Sequence, residues 1–124
     1  MKTAKITING VEHLLCFSLR VVKEASERYG GVEKIGDAIT DGDSMKSLDE
    51  IAWLLSAMMR AGVRYAQVND LETAPALSAD EFLDICDIQD IATLRGKIFE
   101  TIVSGNKPDV EVDSAKNTEA TPDN

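Results

Sequence analysis

The strongest structural signal in this chain is the stretch Ser47-Leu48-Asp49-Glu50-Ile51-Ala52-Trp53-Leu54-Leu55-Ser56-Ala57-Met58-Met59. Ser47 followed three residues later by Glu50 matches a capping box, which predicts a helix that begins directly after Ser47. Apolar residues recur at helical spacing as far as Tyr65, and between residues 51 and 59 they leave almost no polar face. A helix that is apolar nearly all round is buried on several sides. The stretch therefore predicts either the central helix of a small domain or a helix in a subunit interface.

Four side chains of this helix are candidates for contact with a partner protein: Trp53, Leu54, Met58 and Met59. Methionine is flexible and polarisable, so it repacks around partners of different shapes. The alternative is that all four are core residues, since helices of this kind are usually buried. The interface interpretation predicts that the protein associates with itself.

Residues 5–17 carry the pattern of a β-hairpin. Asn9-Gly10 is the expected two-residue type I′ turn, because both central positions of that turn need positive φ. Such a turn sets the register so that Ile8 lies opposite Val11 and Ile6 lies opposite His13. The face predicted to pack on the core then carries Ala4, Ile6, Ile8, Val11, His13, Leu15 and Phe17. A lone hairpin is marginally stable in water, so this one is expected to lie on helices or to pair with another chain.

A helix is expected directly after the hairpin. Ser18 is its predicted N-cap, and Leu19 is the first residue of its apolar face. Gly30-Gly31 ends this helix, because glycine adopts the left-handed conformation of a helix C-terminus without strain. A short second helix is predicted within residues 32–39, and a loop is predicted over residues 40–44.

Two further helices are expected after the central one. Ser78 and Glu81 form a second capping box, which opens a short helix containing Phe82. Asp87 caps a final helix, whose last turn precedes Gly105. The chain is therefore predicted to be α+β and mostly α, with an N-terminal β-hairpin packed on a bundle of about four to five helices.

The last 18 residues differ in composition from the rest of the chain. Residues 107–124 contain five acids and two lysines, and Val110 and Val112 are their only large apolar residues. They bury too little surface to offset the entropy of ordering. The sequence thus predicts one folded domain over residues 1–106 and a disordered acidic tail over residues 107–124.

Charge restricts the partners of this protein. The 124 residues include 13 bases and 22 acids, which gives a net charge of −9. Such a surface repels nucleic-acid phosphates and anionic lipids, so neither is an expected partner. The N-terminus lacks the apolar core of a signal peptide, and no apolar run approaches the ~20 residues of a membrane span. We expect a cytoplasmic protein.

No reactive chemistry is evident in the sequence. His13 is the only histidine, and no serine or cysteine stands in a nucleophile motif such as Gly-x-Ser-x-Gly. Cys16 and Cys86 lie in apolar runs and are expected to be buried thiols. The segment beginning at Asp41 fails as a calcium loop, because Met45 and Ala52 occupy ligand positions. We expect neither an enzyme nor a bound cofactor or metal ion.

An acidic run precedes and enters the final helix. It comprises Asp80, Glu81, Asp84, Asp87 and Asp90. Two of these residues are expected helix caps, and the simplest interpretation of the run is a solvated face. The alternative is a docking face for a basic partner segment, with Asp84 and Asp90 as the contact residues.

The order of these elements resembles the small tail assembly chaperones of long-tailed bacteriophages and prophages. The matching features cover residues 5–66: strand, Gly turn and strand, then a helix ending in Tyr-Gly-Gly, then the capped helix that runs into Arg60-Ala61-Gly62. The acidic tail is also similar to that family. In the family, the first gene product often ends near a programmed frameshift that appends a second domain.

The resemblance implies a function in binding other proteins. Such chaperones bind tape-measure and tail-tube proteins and keep them soluble while the tail assembles in the cytoplasm of the bacterial host. One alternative is a structural tail component that stays in the particle. The other is an acidic inhibitor that mimics DNA, which the 11 bases among the 17 acids of residues 1–106 make less suitable.

Overall fold

A computed structural model describes residues 3–40 and 44–105 of the chain. Two strands, β1 and β2, are followed by five α-helices, α1 to α5, and two short 3-10 turns precede α2 and α5. Their bounds are β1 Thr3–Ile8, β2 Val11–Cys16, α1 Leu19–Tyr29, α2 Ile35–Thr40, α3 Ser44–Val68, α4 Ala79–Ile85 and α5 Ile91–Gly105. The predicted α+β, mostly α architecture is confirmed. The predicted tail, residues 107–124, and the rejected calcium loop at residues 41–43 lie outside the described residues.

The hairpin has the predicted turn and register. Asn9 and Gly10 both have positive φ, at 54° and 81°. Ile8 pairs with Val11 and Ile6 pairs with His13. The predicted core face is buried except at its tip, where Val11 is exposed.

Part of the opposite face of β2 is buried, which differs from the sequence-based prediction. Leu14 and Cys16 alternate away from the predicted core face, yet both are buried. The reason is tertiary: α3 packs against β2, and the connection after α3 covers its outer edge. There the Leu14 N–H group donates to Thr73 Oγ1 at 3.0 Å, which closes an edge that would otherwise be open.

Helix α1 begins and ends where the sequence predicts. The Ser18 hydroxyl accepts a hydrogen bond from the Val21 N–H group, and Gly30 ends the helix at φ 84°. The predicted inward position of Leu19 is wrong, because its side chain is 87% exposed. Val21 and Ala25 are the fully buried residues of this helix, so its inward face is rotated from the predicted one.

The predicted start of α3 is also wrong. The helix begins at Ser44, so Ser47 lies within the first turn with its side chain buried and cannot act as the N-cap. Glu50 is used for a tertiary contact instead. Its carboxylate accepts hydrogen bonds from Arg28 Nε and from the Tyr29 hydroxyl, both at 2.7 Å, and so joins α3 to α1.

Helix α3 is the central helix of the domain. It contacts β2 and each of the other four α-helices. Among the described residues, no helix has both the length and the apolar character that crossing a membrane requires. The strong apolar signal of residues 51–59 therefore reflects burial within this fold.

The connection from α3 to α4 is held to the helix it leaves. The Ser56 hydroxyl donates to the Leu77 carbonyl at 2.8 Å. The Leu77 N–H group points at Met59 Sδ, 3.5 Å away. The connection then reaches Ser78, where the predicted capping box is confirmed by hydrogen bonds in both directions with Glu81.

Candidate functional site

An apolar groove opens to the surface between α3, α4 and α5 and encloses about 170 Å³. Its buried floor is formed by Ile51 and Ala52 of α3, Phe82 of α4 and Leu94 of α5. Its remaining lining residues are Leu48, Leu83, Cys86, Asp87, Ile88 and Ile91. We call this feature the acidic groove, for the charge of its rim described below.

Two apolar side chains stand at the mouth of the acidic groove. Leu83 is 45% exposed and Ile88 is 83% exposed. Exposing large aliphatic side chains beside a concave apolar surface is unfavourable unless another surface covers them. The groove is therefore suited to receive apolar side chains from a partner.

Part of the rim of the groove is acidic, on the side formed by residues 79–91. Residues 79–91 contain five acids and no base, and all five acidic side chains are exposed. Two of the carboxylates are used locally: Glu81 accepts from the Ser78 N–H group and Asp90 accepts from the Asp87 N–H group, each at 2.7 Å. Asp87 lines this apolar groove, which the sequence did not predict, whereas the predicted docking residues Asp84 and Asp90 are not among its lining residues.

Cys86 lies in the wall of the acidic groove and is half-buried. Burial raises the pKa of its thiol, and the carboxylates of Asp90 and Asp87 raise that pKa further. Because the thiolate is the nucleophilic form, these surroundings keep Cys86 unreactive. Cys86 therefore lacks the lowered pKa of an activated thiol.

The predicted partner residues of α3 divide into two groups. Leu54 and Met58 are completely buried and Met59 is 1% exposed, so a partner cannot contact them while this fold is closed. Their surroundings correct the interface interpretation, because neighbouring elements of the same chain cover them. Of the four, only Trp53 reaches the surface, and its side chain is half-exposed.

Trp53 belongs to a cluster that links α1 to α3. Its ring meets the Tyr29 ring edge-on, with centroids 5.9 Å apart, and the Arg28 guanidinium lies 4.6 Å from its centroid. Burial of Glu50 alone would raise the pKa of its carboxyl, but the hydrogen bonds from Arg28 and Tyr29 outweigh burial and lower it. The cluster is satisfied within the chain, and its cation–π and edge-on contacts stabilise the packing of the two helices.

His13 is buried in β2, 4% exposed, in agreement with its predicted place on the apolar face. Its Nδ1 atom is buried and has no hydrogen-bond partner among the residues that the structure describes. Burial lowers the pKa of the imidazole, and a hydrogen bond with the backbone of Pro75 offsets part of that effect. Within residues 3–40 and 44–105, no three His, Cys, Asp or Glu side chains are placed to hold a metal ion together.

We expect the protein to lose stability as the pH falls below about 6.5, the ordinary pKa of histidine. Burial lowers the pKa of His13 in the folded state, so the unfolded chain binds a proton at this position more readily than the folded chain does. The loss is at most about 1.4 kcal/mol per pH unit between the unfolded-state pKa and the lower folded-state pKa. Urea unfolding of the wild type and of His13→Gln at pH 7.5 and pH 5.5 measures it.

The glutamine variant should lack this part of the pH dependence, while the titration of carboxylates stays common to both proteins. The wild type should therefore lose stability relative to the glutamine variant as the pH falls from 7.5 to 5.5, by no more than about 1.4 kcal/mol. A difference that does not change with pH would show that the pKa of His13 is the same in the folded and unfolded chains.

Comparison of the chain with protein-family models, with curated protein sequences and with solved structures gives no match.

Proposed function

We propose that this protein is a tail assembly chaperone of a long-tailed bacteriophage or prophage, which binds tape-measure and tail-tube proteins and keeps them soluble before assembly. The observation that supports this proposal is the acidic groove with Leu83 and Ile88 exposed at its mouth. The resemblance over residues 5–66 supplies the class of partner.

The size of the groove favours a protein partner. Sites for small ligands typically enclose about 300–1,000 Å³, whereas the acidic groove encloses about 170 Å³. That volume accommodates a few apolar side chains, which is how an amphipathic helix docks in a groove through positions i, i+3, i+4 and i+7. The preferred segment is therefore a helix with one apolar stripe.

The charge of the rim adds a second requirement. Asp87 lines the groove, and Asp84 and Asp90 are next in sequence to its lining residues Leu83 and Ile91. Lysine or arginine flanking the apolar stripe complements these carboxylates, whereas acidic flanks are repelled. We infer that the bound segments of the partner are amphipathic and basic.

A chaperone of this kind suits a long helical partner. Apolar stripes exposed along an unassembled tape-measure protein would aggregate. Many copies bound weakly along one chain gain avidity, and each copy brings a net charge of −9 that keeps the complex dispersed.

Disrupting the mouth of the groove is expected to weaken the binding of such a segment at least tenfold, or by about 1.4 kcal/mol. The change is Leu83→Glu with Ile88→Glu, which puts charge where apolar side chains must dock. Fluorescence anisotropy of a labelled amphipathic peptide with Lys and Arg flanks measures the effect. Val103→Glu is the control, because Val103 is an exposed apolar residue of α5 outside the groove. If the Leu83→Glu, Ile88→Glu variant bound the peptide as tightly as the Val103→Glu control, the groove would not be the binding site.

The assignment to tail assembly has its own test. Co-expression with a tape-measure protein should keep that protein soluble, and the Leu83→Glu, Ile88→Glu variant should fail to do so. Finished tails should lack the chaperone. Its retention in purified particles would instead support the structural tail component.

A further inference from the structure

A second exposed apolar surface lies at the junction of α1 and the end of α3. Leu19 is 87% exposed and Val68 is 84% exposed, and both line one cleft together with Tyr65. Two fully exposed aliphatic side chains in one cleft mark a contact surface.

The charge of this cleft is opposite to that of the protein. Arg20 and Arg64 line it, both exposed, and no acidic residue does. Neither arginine forms an ion pair with a residue that the structure describes. We call this surface the arginine patch: Leu19, Arg20, Arg64, Tyr65 and Val68.

We propose that the arginine patch of one copy docks on the acidic groove of a second copy. Leu19 and Val68 would cover the exposed Leu83 and Ile88, while the two arginines would face the acidic rim. The two surfaces match in apolar character and are complementary in charge, so a single contact covers both.

The geometry of this contact is head-to-tail. The arginine patch and the acidic groove are different surfaces of the same chain, so each copy keeps one of them unoccupied in a dimer. Association therefore continues into a ring or an open chain of subunits. Both surfaces are small and charged, which places the contact among weak interfaces that depend on protein concentration and salt.

This inference does not depend on the proposed function, although both involve the acidic groove. A helix bound in the groove would displace the second copy. Self-association is measured on the purified chain alone, so its failure leaves binding of the peptide untouched, and failure of peptide binding leaves self-association untouched.

The test uses two variants of the full chain. Leu19→Glu with Arg20→Glu disrupts the arginine patch, and Asp84→Lys with Ile88→Lys disrupts the acidic groove. Light scattering at low salt should show that the average mass of the wild type rises above 13.5 kDa with concentration. Each variant should stay monomeric, with the circular dichroism of the wild type as evidence of folding.

Mixing the two variants is the decisive measurement. Each retains the surface that the other lacks, so an equimolar mixture should form dimers and nothing larger. Added salt should dissociate them. A mixture that stays monomeric, or variants that associate as the wild type does, would overturn the head-to-tail contact.

A wild type that is monomeric at every concentration would also overturn the proposal.

Discussion

Phe82→Ala is expected to lower the free energy of unfolding by about 3–5 kcal/mol, the usual cost of removing a buried phenylalanine ring. Phe82 is the only fully buried residue of the seven-residue helix α4, and its side chain is 2% exposed. A helix this short has no stability of its own in water, so its position depends on this one anchor. Urea unfolding followed by far-ultraviolet circular dichroism measures the loss.

The adjacent Leu83 provides a matched control. Its side chain is 45% exposed, and Leu83→Ala should cost less than about 1 kcal/mol because little buried surface is lost. Hydrogen exchange of the Phe82→Ala variant then distinguishes local detachment of α4 from destabilisation of the whole domain. Faster exchange confined to α4 would indicate local detachment, while uniform acceleration would indicate global destabilisation. Equal stability of the two variants would show that Phe82 does not anchor α4.

Gly62→Ala is expected to destabilise the protein by about 2–3 kcal/mol, although alanine is normally the better helix former. Gly62 lies where α3 crosses β2, and a Cβ atom there would overlap the carbonyl oxygen of Leu14. Because that oxygen is backbone, the clash cannot be relieved by a side-chain rotation. Strand and helix must separate, which opens the core along their contact.

Gly96→Ala is the corresponding control in α5. A Cβ atom at Gly96 has no neighbour within 4 Å, so the ordinary helix preference applies and the change should stabilise the protein by about 0.5–1 kcal/mol. The two substitutions should therefore shift the melting temperature in opposite directions, which differential scanning calorimetry measures. A stabilising Gly62→Ala would contradict the close approach of α3 to β2.

The partner binding proposed above does not require the protein to expose its core. Its floor belongs to the core that stabilises the domain, while Leu83, Ile88 and the carboxylates at its rim are available to a partner. Substitutions at the rim are thus expected to change binding with little effect on folding, whereas Phe82 affects both.

Features that depend on a few neighbouring residues could be predicted correctly. Asn9 and Gly10 supply the positive φ values of a tight turn, and the turn alone determines which residues of the two strands pair. The capping box at Ser78 and the left-handed Gly30 are equally local. Each is a hydrogen-bonding or steric preference satisfied within about four residues.

Part of the candidate site could also be located. The acidic run of residues 80–90 is visible as composition, and Asp87 of that run lines the groove. Its apolar counterpart is not predicted, because helical spacing does not distinguish the exposed Leu83 and Ile88 from buried apolar residues such as Phe82 and Leu94. Periodicity shows that a helix has an apolar face, but it does not show whether another element covers the whole of that face.

The amino-acid sequence by itself determined the kind of fold, the hairpin register and the acidic surface, because these follow from local geometry and from composition. Only the tertiary structure decided which apolar residues are exposed. It buries Leu54, Met58 and Met59, leaves Leu19 and Ile88 at the surface, and turns Glu50 from a supposed helix cap into a link between two helices. The physical reason is that burial depends on how two elements pack against each other, and the local sequence of neither element determines that packing.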